Sequence, residues 1–244
     1  MRQHRISARD GVTLHAASTG RGRHIVVLSG GPGCVHYLAE ERLAPRGFTV
    51  WYPDPRGVGH SGGGGHDMAT AIADLEDIRE SLGIDSWLVL GHSWGSDLAV
   101  RYALVHPERV IGIVGVAGRG VQYDRYWSAA YERLQHTEDV FEIDFVPEVH
   151  ETLKASFREW VHEASLFRTL ADSPVPMHFI AAADDIRPNW PLRQLAELVP
   201  AANFSQIPGA VHNFWSTAPD VWVETVTRAC AELAGTSVDQ GAKG

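Results

Sequence analysis

The sequence predicts an α/β domain: a mostly parallel central sheet flanked by helices, with a small helical cap inserted in the second half. Three observations carry this. From His24 onward, continuous apolar runs of strand length alternate with helix-like segments, the pattern of a parallel sheet. Ahead of them, Asp10-Gly11 separates Ile6-Ser7-Ala8-Arg9 from Val12-Thr13-Leu14-His15-Ala16-Ala17, a strong hairpin signal. Finally, the apolar run Trp87-Leu88-Val89-Leu90 stops at Gly91-His92-Ser93-Trp94-Gly95 and turns helical.

Taken in order, the hairpin forms an antiparallel edge. His24-Ile25-Val26-Val27-Leu28 then reads as a strand buried on both faces, and it empties into Ser29-Gly30-Gly31-Pro32-Gly33. Phe48-Thr49-Val50-Trp51-Tyr52 is the next strand. The glycines that follow, Gly57-Val58-Gly59-His60-Ser61-Gly62, formally match a dinucleotide fingerprint. That fingerprint must open a helix directly, whereas here more glycines follow and helix begins only at Met68, running to Leu82, so nucleotide binding is set aside. After the strand through Leu90, a helix over Asp97 to Leu104 ends before Pro107. Val110 to Val116, Met177 to Ala183 and Asn203 to Ile207 are further strands, and Val221 to Leu233 is an amphipathic closing helix. The tail after Ala234 reads as disordered.

Between the strands at Val116 and Met177 the sequence reads as helix only. One face is expected to collect Tyr123, Tyr126, Trp127, Ala130, Tyr131 and Leu134, and another Val149, Leu153, Trp160, Ala164 and Phe167. The expected organisation is a single domain over 1–244: a core of 1–120 and 174–235 with a cap of 121–173.

At 244 residues and 44% hydrophobic, the chain supports one sizeable core and needs no second folding unit. A net charge of −9, with lysine only at Lys154 and Lys243, argues against a nucleic-acid partner. The N-terminus has no apolar signal core and no run reaches the length of a membrane span, so a cytoplasmic protein without a membrane partner is expected. Cys34 and Cys230 have no metal-ligand spacing, and a reducing compartment disfavours a disulfide between them. Neither metal nor cofactor is expected. The expected partner is a small molecule or short peptide, and oligomeric state is not legible.

The glycines at 91 and 95 fit a G-x-S-x-G elbow, in which a strained strand-to-helix turn lifts a serine hydroxyl clear of the sheet. Ser93 is thus the candidate nucleophile. A serine hydroxyl needs a base to take its proton and a third group to orient that base. His212, in the loop after the last strand, is the best placed of thirteen histidines. For the acid, the strand through Phe179 and Ile180 ends in Asp184-Asp185, and spacing alone leaves the choice open. The backbone N–H of Trp94 and that of Gly31 are the candidate oxyanion donors.

These residues resemble the α/β-hydrolase superfamily and, within it, the proline iminopeptidase family of serine aminopeptidases. The resemblance rests on Ser29-Gly30-Gly31-Pro32-Gly33, where the family usually opens with His, on Asp54-Pro55-Arg56-Gly57-Val58-Gly59-His60-Ser61, and on Gly91-His92-Ser93-Trp94-Gly95-Ser96. Tryptophan directly after the nucleophile is the most specific part. The resemblance implies an α/β-hydrolase fold and places the acid nine positions after the proline that starts the strand; counting from Pro176 selects Asp185. His212 matches the family's base. The implied activity is that of a serine hydrolase working through an acyl-enzyme, an aminopeptidase or amidase first and a carboxylesterase or thioesterase acting on a small metabolite second. A ligand-binding or non-hydrolytic protein on the same fold is the reading from another class. The cap is shorter than is usual in the family, and the carboxylates from Glu132 to Glu163 cannot be aligned to its amine-binding positions. Most of them are expected to form solvated helix faces.

Overall fold

Successive residues of a strand point to opposite faces, so a strand that is apolar throughout needs cover on both sides. The computed structural model describes residues 1–121, 125–138 and 142–235, and it supplies that cover. The strands are β1 (Arg2–Ser7), β2 (Thr13–Gly20), β3 (Arg23–Leu28), β4 (Phe48–Pro53), β5 (Trp87–His92), β6 (Val110–Val116), β7 (Met177–Ala182) and β8 (Ala202–Ile207). They form one sheet in the order β1-β2-β4-β3-β5-β6-β7-β8. The pairings β1 with β2 and β2 with β4 are antiparallel, and the others are parallel.

The helices are α1 (Met68–Ser81), α2 (Trp94–Val105), α3 (Arg125–Leu134), α4 (Pro147–Val161), α5 (Leu166–Ala171), α6 (Trp190–Leu198), α7 (Phe214–Thr217) and α8 (Pro219–Ala234). Val26 and Leu28 of β3 pack in one core layer with Leu75 of α1, Leu98 of α2 and Leu192 of α6. Their neighbours Ile25 and Val27 pack in the other with Trp222, Val226 and Cys230 of α8. Asp67 caps α1 by accepting the Thr70 N–H at 2.6 Å, and this starts the helix where the glycine run ends.

Between β6 and β7 the chain leaves the sheet for α3, α4 and α5. Phe157 and Trp160 of α4 join the core layer of α1 and α2, and Ser156 Oγ accepts the Met68 N–H at 3.0 Å. Two expected helix faces are corrected. Tyr126 is 85% exposed while Trp127 is buried, because consecutive helical residues point about 100° apart and α3 buries only the narrow side that carries Trp127. Tyr123 lies outside the described residues. The second stripe fails after Trp160: α4 ends at Val161 and α5 restarts at Leu166, which resets the phase. Ala164 falls in the break and Phe167 is 48% exposed, while Leu166 and Leu170 face the core. The tail after Ala234 lies outside the described residues apart from Gly235, which ends α8 in the left-handed conformation.

The elbow depends on two missing Cβ atoms. A Cβ at Gly91 would lie 2.2 Å from the Gly95 carbonyl oxygen, and one at Gly95 would lie 2.2 Å from that of Leu28. Both neighbours are backbone and cannot swing away. Gly95→Ala should therefore destabilise the fold by about 1–3 kcal/mol as α2 is forced off β3. Equilibrium denaturation checks this, and an unchanged midpoint would contradict the packing described.

Candidate active site

The carboxyl ends of the parallel strands converge near the point where the chain, having run from β3 to β4, crosses back to β5, the usual place for a ligand in an open α/β sheet. Leu28 pairs with Gly91 and His92 with Val116, so the ends of β3, β5 and β6 are level. Loops leaving β3, β5, β7 and β8 carry the residues of interest. Ser93 lies between β5 and α2 at φ 55° and ψ −125°, a backbone conformation rare outside glycine. Its N–H is held by the Val116 carbonyl at 2.8 Å.

Ser93 Oγ is 3.1 Å from His212 Nε2, and His212 Nδ1 is 2.5 Å from Asp185 Oδ2. A carboxylate only accepts, so Nδ1 carries a proton and, in the neutral ring, Nε2 presents its lone pair to the Ser93 hydroxyl. Asp185 Oδ1 accepts the Arg187 N–H at 2.9 Å and its Nη1 at 3.2 Å. Burial alone would raise the Asp185 pKa, but the hydrogen bond from His212 and the charges of His212 and Arg187 outweigh it and hold the carboxyl below its ordinary range. Asp184 is exposed and gives its N–H to the Ala210 carbonyl. The structure thus brings Asp185, and not Asp184, to His212.

Sequence reasoning missed a second ring of contacts. His92 Nε2 is 3.0 Å from the His212 carbonyl oxygen, which can only accept, so Nε2 bears the proton. Complete burial, with the electrostatic effect of His212 second, lowers the His92 pKa to about 3, so the ring is neutral and Nδ1 accepts the Tyr37 hydroxyl at 2.7 Å. Tyr37 Oη in turn accepts the Gly30 N–H at 2.7 Å. This relay ties the glycine loop after β3 to the backbone of His212, over 120 residues at its longest step. Because Gly30 N–H is engaged by Tyr37, the next amide along, that of Gly31, is the free candidate in the loop. His150 Nδ1 donates to the Pro32 carbonyl at 2.9 Å and fixes the far side of that loop. Only the Arg187 contact had a local signal, since an Asp two residues before an N–H commonly accepts it.

Gly31, Trp94 and Ser93 line one cavity of about 720 Å³, with Trp127 and Tyr131 of α3 and Phe157 of α4 on the far wall. Asp97, also on the wall, accepts the N–H groups of Gly120 at 2.8 Å and Arg119 at 3.3 Å. Burial nevertheless pushes its pKa up to about 7. Of the carboxylates expected between Glu132 and Glu163, Glu132 lines the cavity. Glu138 forms a two-pronged pair with Arg187, and Glu163 pairs with Arg101. Asp139 lies outside the described residues. His15, Asp54 and His60 form the one described cluster with metal-ligand spacing, away from this cavity's lining.

A serine, a histidine and a carboxylate thus stand in line at the carboxyl ends of the strands of this sheet. A family model described as alpha/beta hydrolase fold matches residues 23–182, and the chain belongs to that family. Over 99 residues it is 41% identical to the proline iminopeptidase of Neisseria gonorrhoeae, a stretch covering 37% of this chain and 31% of that protein. Over 163 residues it is 31% identical to the proline iminopeptidase of Xylella fastidiosa (strain 9a5c), covering 62% and 51%. The chain therefore matches between about a third and about a half of the length of these relatives. An alpha/beta hydrolase fold protein from Chitinophaga pinensis superposes with a TM-score of 0.74 at 18% identity, covering 93% of this chain and 96% of that one.

The buried Asp97 has a consequence for stability. In the folded chain its pKa is about 7, whereas the unfolded chain releases the proton near 3.8, so between those values the native state binds the extra proton. The contribution of Asp97 to stability is therefore greatest below about pH 4 and falls as pH rises toward 7. Asp97→Asn should gain stability relative to wild type across that window, read as the difference between their unfolding free energies at successive pH values. A constant difference would contradict the raised value.

Proposed function

We propose that the protein is a serine hydrolase that cleaves a small amide or ester through an acyl-enzyme on Ser93, with His212 as base and Asp185 as its orienting acid. The observation that carries it is the unbroken line from Ser93 Oγ through His212 to Asp185 Oδ2 on the wall of an open cavity. Ser93 Oγ attacks the carbonyl carbon while its proton passes to His212 Nε2, and Asp185 stabilises the resulting imidazolium. The backbone N–H groups of Gly31 and Trp94 hold the oxyanion; the positive end of the α2 dipole assists. His212 then protonates the leaving group, and water, deprotonated by His212, releases the acyl part. Segment 121–173 serves as the cap that covers the site. The substrate is a small molecule or short peptide, and two free cysteines, Cys34 and Cys230, favour a cytoplasmic setting.

The likeness to proline iminopeptidases supports an aminopeptidase. A protonated amine in a partly desolvated pocket needs a facing carboxylate, and Glu132 is the cap carboxylate on the described wall. A second reading, an esterase or thioesterase, is favoured by the cations Arg119, Lys154 and Arg158 on the same wall, which oppose an ammonium group. Unblocked and N-blocked prolyl and other aminoacyl arylamides, assayed beside simple acyl esters, separate the two. The aminopeptidase reading expects cleavage of the unblocked arylamides, with kcat/KM reduced about tenfold or more by blocking the amine or by Glu132→Gln. Equal or better cleavage of blocked substrates and esters would select the esterase.

Whichever substrate serves, Ser93→Ala should leave the fold intact and abolish turnover, and Asp185→Asn should cost on the order of 10⁴ in kcat. Asp184→Asn should stay within a few-fold. A large loss in Asp184→Asn with little in Asp185→Asn would overturn the assignment of the acid.

A further inference from the structure

The chain carries a net charge of −9, yet among the described residues the cavity beside Ser93 is lined by four cations, Arg119, Lys154, Arg158 and Arg187, against two acids, Asp97 and Glu132. Arg187 is engaged by Glu138 and Asp185 and belongs to the catalytic line. The other three come from two separate parts of the chain. Lys154 and Arg158 are four residues apart on α4, which puts them on one helix face. Lysine is otherwise found only at position 243, so the one lysine of the described residues sits on this wall. Its nearest ion-pair partner, Glu151 at 3.6 Å, is 68% exposed and so well screened by water that it neutralises little of the charge.

Arg119 is set differently. Its guanidinium lies 4.4 Å over the Trp127 ring, which stacks on Tyr131 and is fixed by an indole N–H donated to the Pro188 carbonyl. Stacking uses the face of a guanidinium and holds the planar group in place on the wall, where its charge and fork geometry suit an oxyanion. Asp97, the buried acid on this wall, offsets these charges weakly because burial favours its protonated form.

We propose that this wall is an anion subsite, and that Ser93 acts on a small ester or amide carrying a carboxylate on its acyl part or leaving group, held by Lys154, Arg158 and Arg119. The inference rests on the serine hydrolase reading and names its substrate class. The carboxylate takes no part in bond making. It lowers KM by charge-assisted hydrogen bonds, and it enters a cavity whose local potential opposes the negative field of the whole chain.

Two matched pairs of esters test it with the full chain: umbelliferyl butyrate against umbelliferyl hemiglutarate, and phenyl acetate against the acetyl ester of 4-hydroxybenzoate. In at least one pair the anionic member should show a kcat/KM about tenfold or more above its neutral partner, expressed mainly in KM. That ratio should shrink in about 0.5 M salt, fall toward one in Lys154→Met and in Arg158→Met, and return in Lys154→Arg. The ratio is independent of how much of a variant is folded. Equal or faster turnover of the neutral member in both pairs would overturn the subsite and leave the serine hydrolase standing. Inactivity on all four esters, with no covalent phosphonate adduct on Ser93, would overturn the hydrolase reading and the subsite with it.

Discussion

The backbone of Ser93 is the constraint on which the site depends. At φ 55° and ψ −125° it occupies a region that costs a residue with a Cβ about 1–3 kcal/mol, and the surrounding structure must hold it there. β5, fully buried between β3 and β6, anchors one side, and α2 anchors the other. The Val116 carbonyl clamps the Ser93 amide between them. Such a turn can be this tight because Gly91 and Gly95 leave room for backbone to pass backbone. Those two glycines serve packing first, and the exposure of the hydroxyl follows from the packing.

Around this turn the supporting contacts form closed chains. Asp185 is oriented from one side by Arg187, which also grips Glu138 from the segment after α3. The inserted helices are thereby tied to the acid loop by a two-pronged ion pair of partly buried groups. From the other side, the relay Gly30, Tyr37, His92 and His212 couples the glycine loop to the backbone of the proposed base. Each hydrogen bond in that relay has one possible direction, fixed by a backbone amide at one end and a backbone carbonyl at the other. A network of this kind holds geometry without needing any group in it to change charge.

What could be read in the sequence was what is local. The run from Trp87 through the glycines at 91 and 95 states strand, turn and helix within a few residues, and the buried strands announce themselves by unbroken apolar stretches. Adjacent carboxylates defeat such reading: Asp184 and Asp185 differ only in which one reaches His212, a contact across 27 residues. The likeness to a known family singled out Asp185 before any contact could be seen. Tyr37 and His92 were not legible as partners, since nothing near either residue specifies the other. In the inserted segment the apolar periodicity was too ragged to show the break after Val161, and the stripe drawn through it lost phase. The basic wall was invisible for a related reason. Arg119, Lys154 and Arg158 are scattered among acids in the sequence and meet only when α4 folds over the strand ends.

The central claim is that Ser93 is the nucleophile, raised from the sheet by its own strained turn. Treating the native chain with a fluorophosphonate and locating the adduct by tandem mass spectrometry of its peptides tests this most directly. One adduct on Ser93, absent after the chain is unfolded before treatment, is the predicted result. An adduct at another residue, or none on the folded chain, would contradict the account.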